Sequence, residues 1–216
     1  MDTKTFLQVL KTLRRSPALR QAPIFRMRVS RSETPFTILV ATLLSARTQD
    51  TVTVPAVERL LSVAPTPERL AALDEATIAR LIYPVGFYRT KARHLKELAR
   101  VLVERYGGQV PDTLEELTKL PGVGRKTANL VLGEAFGKPA ICVDTHVHRI
   151  GNRLGIVRSK TPLETEAQLM EKVPPAYWSD INTYLVALGQ TICLPRRPRC
   201  PECPVRRWCE RVGVTG

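Results

Sequence analysis

The chain has 216 residues, 44% hydrophobic and 25% charged, enough apolar material for a packed core in one domain or two small ones. That composition excludes global disorder, and the longest mostly apolar run, Phe36 to Ala46, falls far short of the ~20 residues that span a bilayer. Thirty-three Lys and Arg against 20 Asp and Glu give a net charge of +13, a field that attracts polyanions, with nucleic acid the first candidate and no membrane partner expected.

The N-terminal stretch has no apolar h-region followed by a small-residue cleavage site, so a cytoplasmic, nucleoid-associated location is expected. Phe6, Leu10 and Leu13 recur at i, i+4 and i+7, which predicts an amphipathic helix. Phe36 to Ala46 is apolar nearly all round and predicts a fully buried core helix. Thr66-Pro67 is a helix-start signal, and Leu70, Leu73, Ile78, Leu81 and Ile82 predict one or two short amphipathic helices after it. Leu95, Leu98, Leu102 and Tyr106 form the stripe of a longer helix that Gly107-Gly108 ends. Asp112 or Thr113 can cap the next helix, with Glu115 or Glu116 as capping-box partner. No alternating strand pattern occurs, and the expected class is all-α. A faint repeat relates Pro84–Ala92 to Leu120–Ala128 at a spacing of 36 residues, matching Gly86 to Gly122, Arg89 to Arg125 and Ala92 to Ala128.

In the second copy, LPGVGRKTAN, Pro121 blocks continuation of a helix, Gly122 and Gly124 permit a tight turn, and a new helix starts near Arg125. Such a turn brings backbone N–H groups close to a phosphate, and Arg125, Lys126 and Thr127 can all donate to it. Lys126 falls in the first turn of that helix, where the macrodipole and Arg125 both oppose an ammonium. The free amine is the form that attacks an anomeric carbon and gives a Schiff base. Further on, Pro139 to Val143 reads as an extended, buried approach to Asp144, an N-cap whose carboxylate can also stabilise positive charge developing on a sugar. His146 and His148, at i and i+2 on a helix, point apart and do not suit a metal pair.

Five cysteines in a chain without a secretion signal point to metal ligation rather than disulfides. Four of them form Cys193-x6-Cys200-x2-Cys203-x5-Cys209, and Cys142 stands alone. Four thiolates can hold zinc or a [4Fe-4S] cluster, and the single x2 pair favours the cluster over the two-pair pattern of zinc sites. Arg196, Arg197, Arg199, Arg206 and Arg207 interleave with these cysteines, a plausible phosphate-binding surface.

LPGVGRKTAN, the following VDTH and the C-x6-C-x2-C-x5-C loop, in this order, resemble the endonuclease III family of DNA glycosylases, and the likeness extends to PFTILVATLLSARTQD near the start. The resemblance implies a helix-hairpin-helix glycosylase fold of two α-helical domains: a six-helix barrel over 28–138, and a discontinuous domain of 1–27 plus 139–216 carrying the [4Fe-4S] cluster. It implies a monomer that binds double-stranded DNA containing damaged bases or abasic sites, excises oxidised pyrimidines and cleaves the strand as an AP-lyase. Lys126 would be the nucleophile, Asp144 the catalytic carboxylate, and Cys193, Cys200, Cys203 and Cys209 the cluster ligands. Where the family usually has a glutamine that fills the space left by the flipped nucleotide, this chain has Arg47; Phe87 stands at the second wedge position. Three alternatives fit less well. Adenine-specific relatives carry a catalytic Glu where this chain has Ala41 and lack a lysine at the Lys126 position; a thymine-mismatch glycosylase is disfavoured by the same Lys126; a silent DNA-binding module with a structural metal needs neither Lys126 nor Asp144.

Overall fold

The computed structural model describes residues 1–26 and 34–214. Within them lie eleven α-helices, five short 3-10 helices and no strand. The chain divides into two compact units, Met1–Arg28 with Pro139–Gly216, and Val29–Lys138. The domain boundary expected between residues 27 and 28 lies outside the described residues.

The continuous unit holds α2 (Pro35–Ser45), α3 (Asp50–Val63), α4 (Pro67–Ala72), α5 (Glu75–Ile82), α6 (Tyr88–Tyr106), α7 (Leu114–Lys119) and α8 (Arg125–Phe136). Helix α2 buries Phe36, Ile38, Leu39, Val40, Leu43 and Leu44 and packs against α3, α6 and α8. Its burial is less complete than its composition predicts: Thr37, Ala41 and Thr42 are only half-buried. Helix α6 packs against α4 and α5 through a stripe in which Leu95, Leu98, Ala99 and Leu102 are fully buried. Gly107, in the left-handed conformation at φ 58°, closes α6 as expected of a C-terminal glycine. Of the two caps open for α7, Thr113 accepts from the Glu116 amide at 3.3 Å, while Asp112 pairs with Lys138 at 2.6 Å.

The discontinuous unit holds α1 (Thr3–Arg15), α9 (Thr145–Leu154), α10 (Pro162–Lys172) and α11 (Trp178–Thr191). Phe6, Val9, Leu10 and Leu13 of α1 join Ile181, Leu185 and Leu188 of α11 and Val147 and Ile150 of α9 in one core. No described helix is long and apolar enough to cross a membrane.

Seven of the described α-helices begin on an Asp or Thr side chain that accepts a first-turn amide: Asp2, Thr34, Thr66, Asp74, Thr113, Asp144 and Thr161. Helices α3, α6, α8 and α11 start on Gln49, Phe87, Gly124 and Tyr177 without such a bond, α11 following directly on the 3-10 turn Pro175–Tyr177. Two of these follow the hairpins of the sequence repeat. Their boundaries recur at 37 residues, Ile82 to Lys119 and Tyr88 to Arg125, one more than the spacing of the sequence match. The identity alignment therefore sits one residue out of register with the helices.

Because Leu98 is fully enclosed on α6, Leu98→Ala is expected to lower unfolding stability by about 2–5 kcal/mol, read from denaturant midpoints at constant slope.

Candidate active site

The α7–α8 hairpin gives its two glycines different tasks. Gly122 adopts φ 77°, and a Cβ there would lie 2.9 Å from His94 Nδ1, so both conformation and space demand glycine. Gly124 does not serve the turn in this way. It is extended, at φ −87° and ψ 170°, and an added Cβ would meet nothing within 4 Å. Among the described residues nothing accounts for the missing side chain, whereas close approach of an external backbone or phosphate would. Gly124 opens α8, whose first turn contains no acidic residue and carries exposed Arg125 and Lys126 and half-buried Thr127. Cationic and hydroxyl donors thus surround a helix start that attracts anions.

Asp144 lies in the other unit, as the cap of α9. Its Oδ1 accepts from the His146 and Val147 amides, both at 2.8 Å, which holds the carboxylate at the positive end of the helix. The approach is buried only in its second half: Ile141, Cys142 and Val143 are 1%, 4% and 6% exposed and lie outside regular structure, whereas Pro139 is exposed and Ala140 half-buried. The two histidines do part company. His146 Nδ1 faces Arg149 at 3.1 Å, and His148 Nδ1 faces Thr165 Oγ1 at 2.6 Å.

Four cysteines with free thiols, Cys193, Cys200, Cys203 and Cys209, line one cavity together with Ile150, Leu154, Leu188, Ile192 and Val205. Burial pushes the Cys203 thiol up to about 11 and also raises Cys209, and neighbouring thiols add to both shifts. Crowded sulfurs of this kind suit a cationic occupant, which stabilises them as thiolates. Among the described residues no three His, Cys, Asp or Glu side chains converge on a single metal-ion position. Arg153 reaches the same loop, donating to Cys193 Sγ at 3.4 Å and to the Leu194 carbonyl at 2.7 Å. Arg149 ties α9 to it through the Cys193 carbonyl at 2.9 Å. Neither arginine carried a motif signal, because each acts through contacts some 40 residues away.

Arg47 and Phe87, distant in sequence, are neighbours: the Arg47 guanidinium carbon lies 5.6 Å from the centroid of the Phe87 ring. Both are exposed, Phe87 at 63%. Behind them Lys91, only 8% exposed, donates to the Leu44 and Ala46 carbonyls at 2.8 and 2.6 Å and to Thr48 Oγ1 at 3.2 Å. Burial lowers this ammonium to about 8, while the C-terminal carbonyls of α2 favour a cation at that spot.

Residues 40–175 match the family model described as "HhH-GPD superfamily base excision DNA repair protein". The chain is 51% identical over 176 residues to the endonuclease III of Thermotoga maritima, covering 82% of this chain and 83% of that one. It is also similar to endonuclease III in a non-covalent complex with DNA, with a TM-score of 0.86, 35% identity and coverage of 98% and 96% of the two chains. A trapped covalent endonuclease III–DNA intermediate gives a TM-score of 0.85 at 34% identity, covering 98% and 97%. The chain therefore belongs to the endonuclease III family within the HhH-GPD superfamily.

The two hairpin glycines separate fold from binding. Gly122→Ala is expected to destabilise the protein by at least about 1–2 kcal/mol, the cost of a left-handed residue bearing a Cβ, in thermal or denaturant unfolding. Gly124→Ala is expected to leave stability within about 0.5 kcal/mol but to weaken duplex binding measured by fluorescence anisotropy. Equal affinity in Gly124→Ala and wild type would remove the phosphate explanation for that glycine.

Proposed function

We propose that Lys126 is the nucleophile and Asp144 the catalytic carboxylate of a bifunctional base-excision enzyme that removes oxidised pyrimidines from duplex DNA and then cleaves the abasic strand. The observation that carries this reading is Lys126 itself, an exposed amine in the first turn of α8, directly behind a hairpin whose Gly124 has no side chain to fend off a phosphate. The target anomeric carbon is buried in the base stack, so the nucleotide must first be flipped out, at a cost of a few kcal/mol. Arg47 and Phe87 then fill the space it leaves, the guanidinium or ring stacking on neighbouring bases.

The chemistry is a displacement followed by an elimination. The Lys126 amine forms a bond to C1′ as the N-glycosidic bond breaks, and the base leaves with that electron pair and takes up a proton. Ring opening gives a protonated Schiff base, whose positive charge acidifies C2′. Loss of a C2′ proton then expels the 3′ phosphate and breaks the strand. Asp144 contributes a fixed negative charge as the sugar becomes cationic, a group held by two backbone amides before substrate arrives. Arg125, Thr127 and the amides around Gly122 and Gly124 hold phosphates of the same strand.

Cys193, Cys200, Cys203 and Cys209 would hold a [4Fe-4S] cluster. Thiols that surround a cavity, rather than meet at one point, suit a group larger than a single ion. When bound, the cluster supplies the iron–thiolate bonds that brace this loop and its arginines against the DNA backbone.

Lys126→Gln is expected to abolish borohydride trapping on duplex DNA carrying an oxidised pyrimidine while duplex binding persists; trapping at the wild-type level would exclude Lys126 as the nucleophile. Asp144→Asn keeps a capping side chain, so folding should be retained while single-turnover base release falls by about 10²-fold or more. The metal assignment has its own readout. Purified protein should be yellow-brown with about four irons per chain, and Cys203→Ser should lose the iron whereas Cys142→Ser should not. Stoichiometric zinc in colourless protein would overturn it.

A further inference from the structure

Arg47 and Phe87 share an unusual backbone. Arg47 has φ 55° and Phe87 φ 58°, the left-handed region that side chains bearing a Cβ rarely enter, and for a residue as bulky as Phe a marked outlier. Such conformations persist only where the surroundings over-determine them. Here the surroundings are a single small polar network. Lys91 Nζ bonds the carbonyl of Ala46 and the hydroxyl of Thr48, the residues on either side of Arg47. The same Thr48 hydroxyl accepts from the amide of Gly86, the neighbour of Phe87, at 3.1 Å.

The two loops are also in contact without room for more. A Cβ on Gly86 would lie 2.9 Å from the Arg47 carbonyl oxygen and 3.2 Å from Thr48 Oγ1. One helical turn into α6, the Phe87 carbonyl accepts from the Lys91 amide at 3.0 Å, so Lys91 reports to Phe87 along its own helix and to Arg47 across space. An apolar side chain would fill the same volume of core. A buried ammonium is tolerated only when its protons are bonded, and all three of its acceptors lie on the segment leading into and out of Arg47.

We propose that Lys91, acting through Thr48, is a positioning residue that fixes Arg47 and Phe87 as one composite wedge, so that the guanidinium and the ring enter the vacated space together and read the orphaned base as a unit. Lys91 has this role only if Arg47 and Phe87 fill that space as proposed above. The guanidinium–ring contact then pre-forms the wedge before DNA is met, and neither residue has to be ordered by the duplex.

The test is a double-mutant cycle on the full-length protein, with single-turnover excision of an oxidised pyrimidine placed opposite each of the four bases. In the wild-type background, Arg47→Ala and Phe87→Ala should be non-multiplicative by about two- to fivefold, the size of a partly exposed cation–π pair. Lys91→Met keeps the stem and removes the three bonds. It should slow duplex excision by about tenfold or more, flatten the opposite-base preference and abolish the coupling. Cleavage of an abasic site in single-stranded DNA, which leaves no stack to refill, should change little in that variant. Thr48→Val removes both the link to Gly86 and one of the three Lys91 bonds while keeping the ammonium, and should move the same quantities in the same direction. It decides the matter should Lys91→Met fail to fold. Multiplicative effects of Arg47→Ala and Phe87→Ala, or wild-type duplex rates and opposite-base order in the folded Lys91→Met or Thr48→Val protein, would overturn the composite wedge. Absence of a borohydride adduct with the wild-type protein would instead overturn the catalytic reading beneath it, and that measurement is made separately.

Discussion

Every α-helix leaves its first amides without an intrahelical acceptor, and a folded chain must supply one from a side chain or leave the end open to something outside. Most helices here take the first course, with an Asp or Thr whose oxygen closes the first turn. Helices α3, α6, α8 and α11 do not; α11 continues from the 3-10 turn Pro175–Tyr177, whereas the segments leading into the other three carry Arg47, Phe87 and the Gly122–Gly124 hairpin. Three of the four uncapped starts therefore lie beside groups suited to DNA. Phosphates are acceptors of the kind these three starts lack, and the net charge of +13 attracts a polyanion.

Asp144 shows the opposite use of the same constraint. Its carboxylate closes α9 from within, and the two amides that satisfy the helix also fix the charge in place. A carboxylate held this way need not reorganise when positive charge develops nearby, and preorganisation of this kind is where electrostatic catalysis gains most. The cap and the proposed catalytic carboxylate are one side chain, so local stability and the proposed reactivity draw on the same two hydrogen bonds.

The cysteine loop and α9 are joined by arginines rather than by an apolar seam alone. Arg149 and Arg153 project from successive turns of α9 to carbonyls and a sulfur of the loop around Cys193. Burial lowers the Arg149 guanidinium from its usual range, yet it stays bonded to the Cys193 carbonyl. Whatever orders this loop therefore bears on the helix that Asp144 caps, because most of these bonds end on backbone carbonyls that cannot swing away.

Local features were legible from the order of residues alone. The α6 stripe, the Thr113 and Asp144 caps, the hairpin turn at Gly122 and the clustering of four cysteines all follow from spacings of seventeen residues or fewer, within which periodicity, capping and ligand geometry are decided by neighbours. Composition overstated the burial of α2, since an apolar residue such as Ala41 can still face partly outward. The repeat misled by one residue, because matching Gly, Arg and Ala identities does not fix where helices begin. Only the tertiary structure decided that Arg47 and Phe87 touch, that Gly124 is free of any internal steric need, and that Lys91 is a buried strut rather than a solvated charge on α6. The Arg47–Phe87 and Lys91 contacts depend on pairings across roughly 40 residues between loops that no period relates, and they come into being only when α2 and α6 pack.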